Sequence, residues 1–199
     1  MDIDQFKVKD FLPFYLTEDQ KFGLAEAVKG FSGRSDIYTQ GLQDQVLQGD
    51  CWQNIPFIDI AGRRGLVSVM LLSNSCDIAP ENDRDLPVNV TYAPLIDLAK
   101  YEGLLAAAKV PEPKLREKIA AIRAQRITSL IYLPALLPGA VERVVMLDKA
   151  MSVPYKVFEE QAEKRKLFSL NQLGFYLLSF KLSIHYCRMH ERVDRGLNS

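Results

Sequence analysis

The sequence predicts an α+β fold in which a small antiparallel β-sheet carries helical additions. Residues 49–96 contain three successive strand-like segments that are rich in aromatic and β-branched residues and are separated by polar turns. Residues 97–127 have the Ala, Leu and Lys content of a helical hairpin, and strand character returns over residues 128–155. Because strands joined by short turns pair antiparallel, we expect five or six strands with a helical pair inserted between them.

Composition limits the classes to which the protein can belong. A chain of 199 residues, 48% of them hydrophobic, can bury one substantial core, so residues 1–199 are expected to form a single domain. Because Lys plus Arg and Asp plus Glu both number 25, the net charge is zero, and no overall field attracts the chain to nucleic acid. Any RNA-binding site must therefore be local.

The cysteine and apolar patterns indicate a cytoplasmic protein without metal or cofactor. Cys51, Cys76 and Cys187 are odd in number and widely spaced, which fits neither a disulfide framework nor a metal site. No phosphate-cradling glycine pattern occurs. No apolar run reaches the roughly 18 residues of a membrane-spanning helix, and residues 1–11 lack the apolar core of a signal peptide.

Hydroxyl and amide pairs predict the start of a helix near each end of the chain. Thr17 is followed three residues later by a glutamine, a capping pattern that predicts a lead helix and then a connection within residues 1–48. Ser169 is followed by a glutamine in the same way and predicts a long helix within residues 156–199. One stripe of that helix must be buried against the sheet or a partner: Leu173, Leu177, Phe180 and Ile184.

The polar cluster at residues 73–77, Ser-Asn-Ser-Cys-Asp, directly follows an apolar strand and is a candidate functional site. In one interpretation Cys76 or Asp77 projects into a pocket where Ser73 and Ser75 orient a ligand. In the other, Cys76 is a small buried apolar side chain, and Asp77 and the serines bond the backbone of the following loop. The sequence leaves both interpretations open.

A second candidate is the densest positive region of the chain, residues 109–126. On a helix, Leu115, Ile119 and Ile122 form one side and the basic residues form the other, which can meet RNA phosphates. A solvated helix face is the alternative. The basic candidates for RNA binding are Lys114, Arg116, Arg123 and Arg126.

Several segments, taken in order, resemble the PemK/MazF family of toxin-like proteins. They are "QGDCWQNIPF", a turn with arginine, "GLVSVMLLSN", "VNVTYAPLI" and a C-terminal helix introduced by "FSLNQLG". The matching stretches are residues 48–75 and 87–96 and, more loosely, 143–187. Divergent bacterial relatives whose strand ends in Ser-x-x-Cys-Asp are still more similar.

The resemblance implies an SH3-like β-barrel that cleaves RNA without metal, forms dimers, and pairs with an antitoxin in a toxin–antitoxin or phage-defence setting. On this interpretation a catalytic set stabilises phosphate charge, transfers protons and orients the substrate. The set comprises, in that order, Arg64, Asp77 and either Ser73 or Thr91, with Cys76 beside them. Arg63 and Arg84 are expected to add RNA contacts.

Two departures from the family pattern favour a different interpretation. The chain has Arg-Gly at 64–65 where the family commonly has Arg-Pro, and Asp97 where a Thr or Ser normally follows the "api" strand. Both changes favour a non-catalytic interaction module that binds a protein, an antitoxin or a defence effector, through the inserted hairpin or the long helix. A third interpretation, a thiol hydrolase, requires Cys76 to meet His185 or His190.

Overall fold

The structure is a computed structural model, and it confirms the α+β class. An antiparallel sheet of eight strands is accompanied by five α-helices among the described residues. The predicted lead helix, Arg84 and His190 lie outside the described residues. The structure describes residues 37–59, 61–79, 81–82 and 85–187.

The elements follow one another along the chain as strands with helices between them. The strands are β1 (Tyr38–Thr39), β2 (Cys51–Ile58), β3 (Arg64–Leu71), β4 (Asn89–Asp97), β5 (Leu130–Leu133), β6 (Arg143–Met146), β7 (Met151–Pro154) and β8 (Arg165–Leu170). The helices are α1 (Ser75–Ile78), α2 (Leu98–Ala107), α3 (Glu112–Arg123), α4 (Tyr155–Glu159) and α5 (Gln172–Cys187), and a 3-10 turn covers Leu147–Lys149.

The strands form one curled sheet in the order β1-β8-β2-β3-β4-β6-β5, and β7 pairs with β4 beside β6. Contacts between distant strands show the curl. The Arg143 guanidinium of β6 lies 5.8 Å from the ring centroid of Phe168 on β8, although three strands separate them in the sheet. The Tyr38 hydroxyl of β1 donates to the Pro134 carbonyl, just after β5, at 2.6 Å. The two end strands therefore approach one another.

Hydrophobic side chains alternate along β4 and build two separate cores. Ala93 and Leu95 join the first core, which contacts α3 and α5. Val90 and Tyr92 join the second core, which contacts α1 and α4. Each fully buried aliphatic or aromatic side chain contributes roughly 1.5–3 kcal/mol relative to exposure. The sheet is consequently held from both faces.

The second core is small and aromatic. Phe158 of α4 meets the Trp52 ring edge-on at a centroid distance of 5.4 Å. The Tyr92 hydroxyl donates to the Pro56 carbonyl at 2.5 Å, which ties the β2–β3 hairpin to this core. Burial raises the pKa of Tyr92 to about 12.

The segment between β4 and β5 contains α2 and α3. Pro113 lies in the first turn of α3, where a missing N–H costs nothing. Leu115, Ile119 and Ile122 are buried, as the helical spacing predicts. Leu177, Phe180 and Ile184 of α5 are buried as well.

The prediction was wrong for the start of the C-terminal part. Residues 165–170 form β8, which pairs with β2 inside the sheet, and not a helix. A lysine does not indicate a buried strand position, so the sequence pattern did not predict β8. The Lys166 side chain is nevertheless only 3% exposed, because it is paired with Asp50. Ser169 lies in β8, so the predicted cap is also wrong: the side chain of Asn171 accepts from Gly174 N at 3.0 Å.

None of the helices within the described residues has both the length and the apolar character needed to cross a membrane.

Candidate functional site

The polar cluster after β3 folds into the short helix α1. The Asn74 side chain accepts a hydrogen bond from Cys76 N at 2.9 Å and so caps the helix start. The Asn82 side chain donates to the Cys76 carbonyl and closes the other side of the loop. Neither glycine nor proline is needed for this turn, since the Asn74 side chain supplies the bond that redirects the backbone.

Serine hydroxyls of the cluster fasten the end of β3 to its surroundings. Ser73 Oγ accepts from Thr91 N at 2.7 Å, and Ser75 Oγ accepts from Gln48 N at 2.9 Å. Thr91 Oγ1 lies 2.6 Å from Ser152 Oγ on β7. The structure therefore brings Ser73 and Thr91 together, as contacts between β4 and the end of β3. The serines bond a neighbouring strand and a preceding loop, and not the following loop.

Cys76 is exposed, so the interpretation that it is a buried apolar side chain is wrong. Asp77 is exposed too, on the surface of α1. Ser75 lines a cavity of about 370 Å³ between α1, the loop after β1 and the start of α5. Of the predicted cluster, Ser75 lines this cavity, whereas Cys76, Asp77 and Ser73 are not among its described lining residues.

Arg64 lies at the opposite end of β3 from this cluster. The β3–β4 ladder runs from Ser68 opposite Leu95 to Leu71 opposite Tyr92. Arg64 precedes the first pair and Ser73 follows the last one. Seven strand steps of about 3.3 Å place Arg64 about 23 Å along the strand from Leu71. The register separates Arg64 from the implied partners Ser73, Thr91, Cys76 and Asp77.

Asp97 and Arg143 lie at the same end of the ladder as Arg64. Asp97 ends β4 and is opposite Arg143 in the register, with Arg143 Nε 3.8 Å from Asp97 Oδ1. Asp97 occupies the position at which the resemblance implies a catalytic hydroxyl. This end of the sheet thus holds two arginines and one carboxylate from three different strands.

Arg63 stabilises the β2–β3 turn. Asp59 accepts from Ala61 N at 2.9 Å and from Arg63 N at 3.0 Å, and its Oδ2 lies 2.6 Å from Arg63 Nε. Hydrogen bonds from the backbone and side chain of Arg63 lower the pKa of Asp59. The charge of Arg63 is therefore partly compensated within its own turn.

Carboxylates also pair with the predicted basic face of α3. Arg116 Nη1 lies 2.7 Å from Glu112, and Arg123 binds both carboxylate oxygens of Glu142, at 3.0 and 2.7 Å. The hydrogen bond from Arg123 lowers the pKa of Glu142. Lys114 is exposed on α3, and Arg126 is exposed three residues beyond the end of that helix. The positive field of this face is weaker than the sequence predicts.

Sequence reasoning missed a buried ion pair. Lys166 Nζ lies 2.7 Å from Asp50 Oδ2, and the two side chains are 3% and 1% exposed. Lys166 also donates to the carbonyls of Leu42, at 2.6 Å, and Gln45, at 2.5 Å, while Asp50 accepts from Leu47 N at 2.8 Å. The pair fixes the loop that forms one wall of the cavity. The Gly-Asp pair before β2 was the sequence signal for this ion pair. The partner of Asp50 is Lys166, which lies in the part of the chain that was predicted to be helical.

The outer part of the β2–β3 hairpin exposes apolar side chains beside an arginine. Ile58 is opposite Arg64 and Pro56 is opposite Leu66, so strand alternation places all four on one face. Ile58 is 46% exposed and Leu66 is 51% exposed. We call these four residues the hairpin surface.

Metal and thiol chemistry receive little support from the described residues. Within them, no group of three or more His, Cys, Asp and Glu side chains is arranged to hold a metal ion. His185 is on α5, where burial lowers its pKa. Cys76 is on α1, and the Ser75 and Asn74 side chains beside it bond backbone N–H groups.

No protein-family model matches the sequence, and no curated protein does.

Proposed function

We propose that this protein is a non-catalytic interaction module on an SH3-like barrel, in which the hairpin surface binds a protein partner. The separation of Arg64 from the Ser73 and Thr91 hydroxyls supports the proposal most strongly. RNA cleavage through the 2′-hydroxyl requires a proton acceptor, a proton donor and a cationic group around one phosphate. These groups lie at opposite ends of β3, and the Ser73 hydroxyl already accepts a backbone hydrogen bond.

The chemistry of the hairpin surface favours a protein over a polyanion. Ile58 and Leu66 expose apolar area on both strands, whereas Arg64 contributes a single guanidinium between them. Apolar area around an arginine is typical of the centre of protein interfaces. The complementary partner surface is apolar with one carboxylate.

Incubation of purified protein with mixed RNA and a chelator tests the absence of catalysis. The proposal expects no fragments above the background of a protein-free control. Fragments that disappear in Arg64→Ala, but persist in the matched Arg116→Ala variant on α3, would overturn it.

Site-specific photo-crosslinking in cells tests the interaction surface. A photoreactive amino acid at Leu66 is expected to capture one reproducible partner, and Arg64→Glu is expected to abolish that crosslink. The same label at Leu104, a 55% exposed residue of α2, is the control. Equal capture from both positions, or capture that Arg64→Glu leaves unchanged, contradicts docking at the hairpin surface.

A second candidate function, which the PemK/MazF resemblance implies, is RNA binding. In its most specific version the protein is an endoribonuclease. This candidate is favoured by the location of Arg64, Asp97 and Arg143 beyond one end of the β3–β4 ladder. Arg64 and Asp97 are the two positions at which the chain departs from the family pattern, and both lie at that end. Toxin pairing or phage defence would follow from that activity.

Fluorescence anisotropy with a labelled single-stranded RNA distinguishes this candidate. RNA engagement predicts an affinity that falls steeply as salt rises, and that falls further in the Arg64→Ala, Arg143→Ala double variant. Arg116→Ala should bind like the native protein, because Arg116 is already paired with Glu112. Binding that depends equally on all three arginines would indicate unspecific attraction.

A further inference from the structure

We propose that the cavity beside α1 and α5 binds an uncharged planar heterocycle of about the size of a nucleobase. This inference is independent of the proposed function, which concerns the hairpin surface. The cavity is open to solvent and has a volume of about 370 Å³, which falls within the range of small-ligand sites. It lies between three segments that are far apart in the sequence: the loop after β1, α1 and the first turn of α5.

The walls of the cavity are fixed by interactions outside it. Lys166 donates a hydrogen bond to the Leu42 carbonyl, and Asp50 accepts one from Leu47 N, so the buried ion pair fixes the loop that forms this wall. Gln48 is held twice, by Nε2 to the Leu72 carbonyl at 2.7 Å and by its backbone N to Ser75. A cavity between such anchored walls keeps its shape, which reduces the cost of ligand binding.

The α5 wall is equally well anchored. Asn171 N donates to the Ile37 carbonyl at 2.8 Å, and Phe175 N donates to the Asn171 carbonyl at 2.8 Å. Gly174 packs so closely that an added Cβ would lie 2.5 Å from the Ile37 carbonyl. The position of Phe175 relative to β1 is therefore set by backbone contacts.

The chemistry of the lining selects the ligand. None of the described lining residues is ionisable, so these residues offer no counter-charge to a phosphate, a carboxylate or an amine. The Phe175 ring, Leu47 and Leu170 supply apolar walls, while Gln172 supplies an amide. Ser75 and Thr39 retain hydroxyl protons that can be donated, because each oxygen serves as an acceptor for a backbone N–H.

Apolar faces combined with neutral donors and acceptors at the edges are the complement of a nucleobase. Aromatic side chains stack on base faces, and amides and hydroxyls read base edges. A purely aliphatic ligand would make no use of the Gln172 amide and the hydroxyls, and a charged ligand would find no counter-charge on the described lining residues. The uncharged heterocycle satisfies both parts of the lining.

Saturation-transfer NMR on the purified full chain tests the proposal with adenosine and uridine as neutral probes, and with inorganic phosphate in a separate competition. We expect transfer to the base protons of at least one nucleoside and no competition by phosphate. Gln172→Ala should weaken binding about threefold to tenfold, the loss of one hydrogen bond. Gln172→Trp fills the cavity and should abolish the transfer.

Leu104→Trp, on α2 outside the cavity, is the matched control and should retain the transfer. Circular dichroism establishes that each variant is folded, and Phe175→Ala serves as a second cavity variant if Gln172→Trp does not fold. Absence of transfer from both nucleosides, transfer that persists after the cavity is filled, or displacement by phosphate would each overturn the proposal.

Discussion

Among the described residues, the side chains of Lys166 and Lys181 are buried, and their ammonium groups are accommodated differently. Lys166 is paired with the Asp50 carboxylate at 2.7 Å. Lys181 donates to two backbone carbonyls, Gln125 at 2.9 Å and Ile127 at 2.6 Å. A neutral amine has two N–H groups, which match these two acceptors. Burial lowers the pKa of Lys181 to about 7.

Removal of one partner of the Asp50–Lys166 pair is expected to be costly. Asp50→Asn leaves a buried ammonium without its counter-charge and should lower the free energy of unfolding by about 3–5 kcal/mol. Chemical denaturation measures the change. Glu112→Gln, which breaks the exposed pair with Arg116, is the control and should change stability little. Equal effects of the two variants would contradict a structural role for the buried pair.

The lowered pKa of Lys181 predicts a pH dependence of stability. Its folded value of about 7 lies below the ordinary value of 10.5, so between these values the unfolded chain binds a proton that the folded chain lacks. The free energy of unfolding should therefore rise from pH 7 towards pH 10.5 through this group. Lys181→Met removes that component of the slope. Denaturation of both proteins over this pH range checks the prediction, and identical slopes would refute it.

At the scale of elements, two glycines within helices are expected to have opposite effects on stability when each is replaced by alanine. A Cβ at Gly174 of α5 would lie 2.5 Å from the Ile37 carbonyl, whereas nothing lies within 4 Å of a Cβ at Gly103 of α2. Gly174→Ala should destabilise the protein by forcing α5 away from the sheet. Gly103→Ala should stabilise it by about 0.5–1 kcal/mol, because alanine has the higher helix propensity. Thermal unfolding compares them; stabilisation by both changes would mean that α5 is not held against Ile37.

The strands with regular periodicity could be predicted from the sequence, and β8 could not. β2, β3 and β4 carry β-branched and aromatic residues between turns, and all three were expected. In β8, the side chain of Lys166 is buried by a long-range ion pair that no local pattern encodes. Residues 156–199 were therefore predicted to form a helical part, on the grounds of the cap at Ser169 and the apolar stripe that follows it.

The candidate site, too, could be predicted from the sequence only in part. The residue types at the start and the end of β3 suggested one catalytic set, but an extended strand keeps its two ends apart. The curl of the sheet brings distant strands together, as Arg143 with Phe168 shows, and not the two ends of one strand. Ser75 belongs to the polar cluster that the sequence singled out, but the other walls of the cavity come from the end of β1 and the start of α5, which no local pattern connects with it.

For the whole molecule, the two cores share the strands of one sheet and should unfold together. Trp52 is the single tryptophan of the chain and lies in the second core, so its fluorescence reports on that core alone. Leu178→Ala in the first core should lower stability by about 2–5 kcal/mol. It should shift the Trp52 transition and the circular dichroism transition equally. Separate midpoints would mean that the cores unfold independently.

The last strand of the sheet has a consequence for assembly. The Gln125 side chain donates to the Tyr132 carbonyl at 2.6 Å and accepts from Tyr132 N at 3.1 Å, so it occupies the two backbone groups that Tyr132 of β5 would offer to a further strand. At the β5 edge of the sheet, the Gln125 amide thereby makes the hydrogen bonds that a neighbouring strand would make to Tyr132. The backbone N–H and carbonyl of Tyr132 are therefore not available to pair with a strand of a second copy.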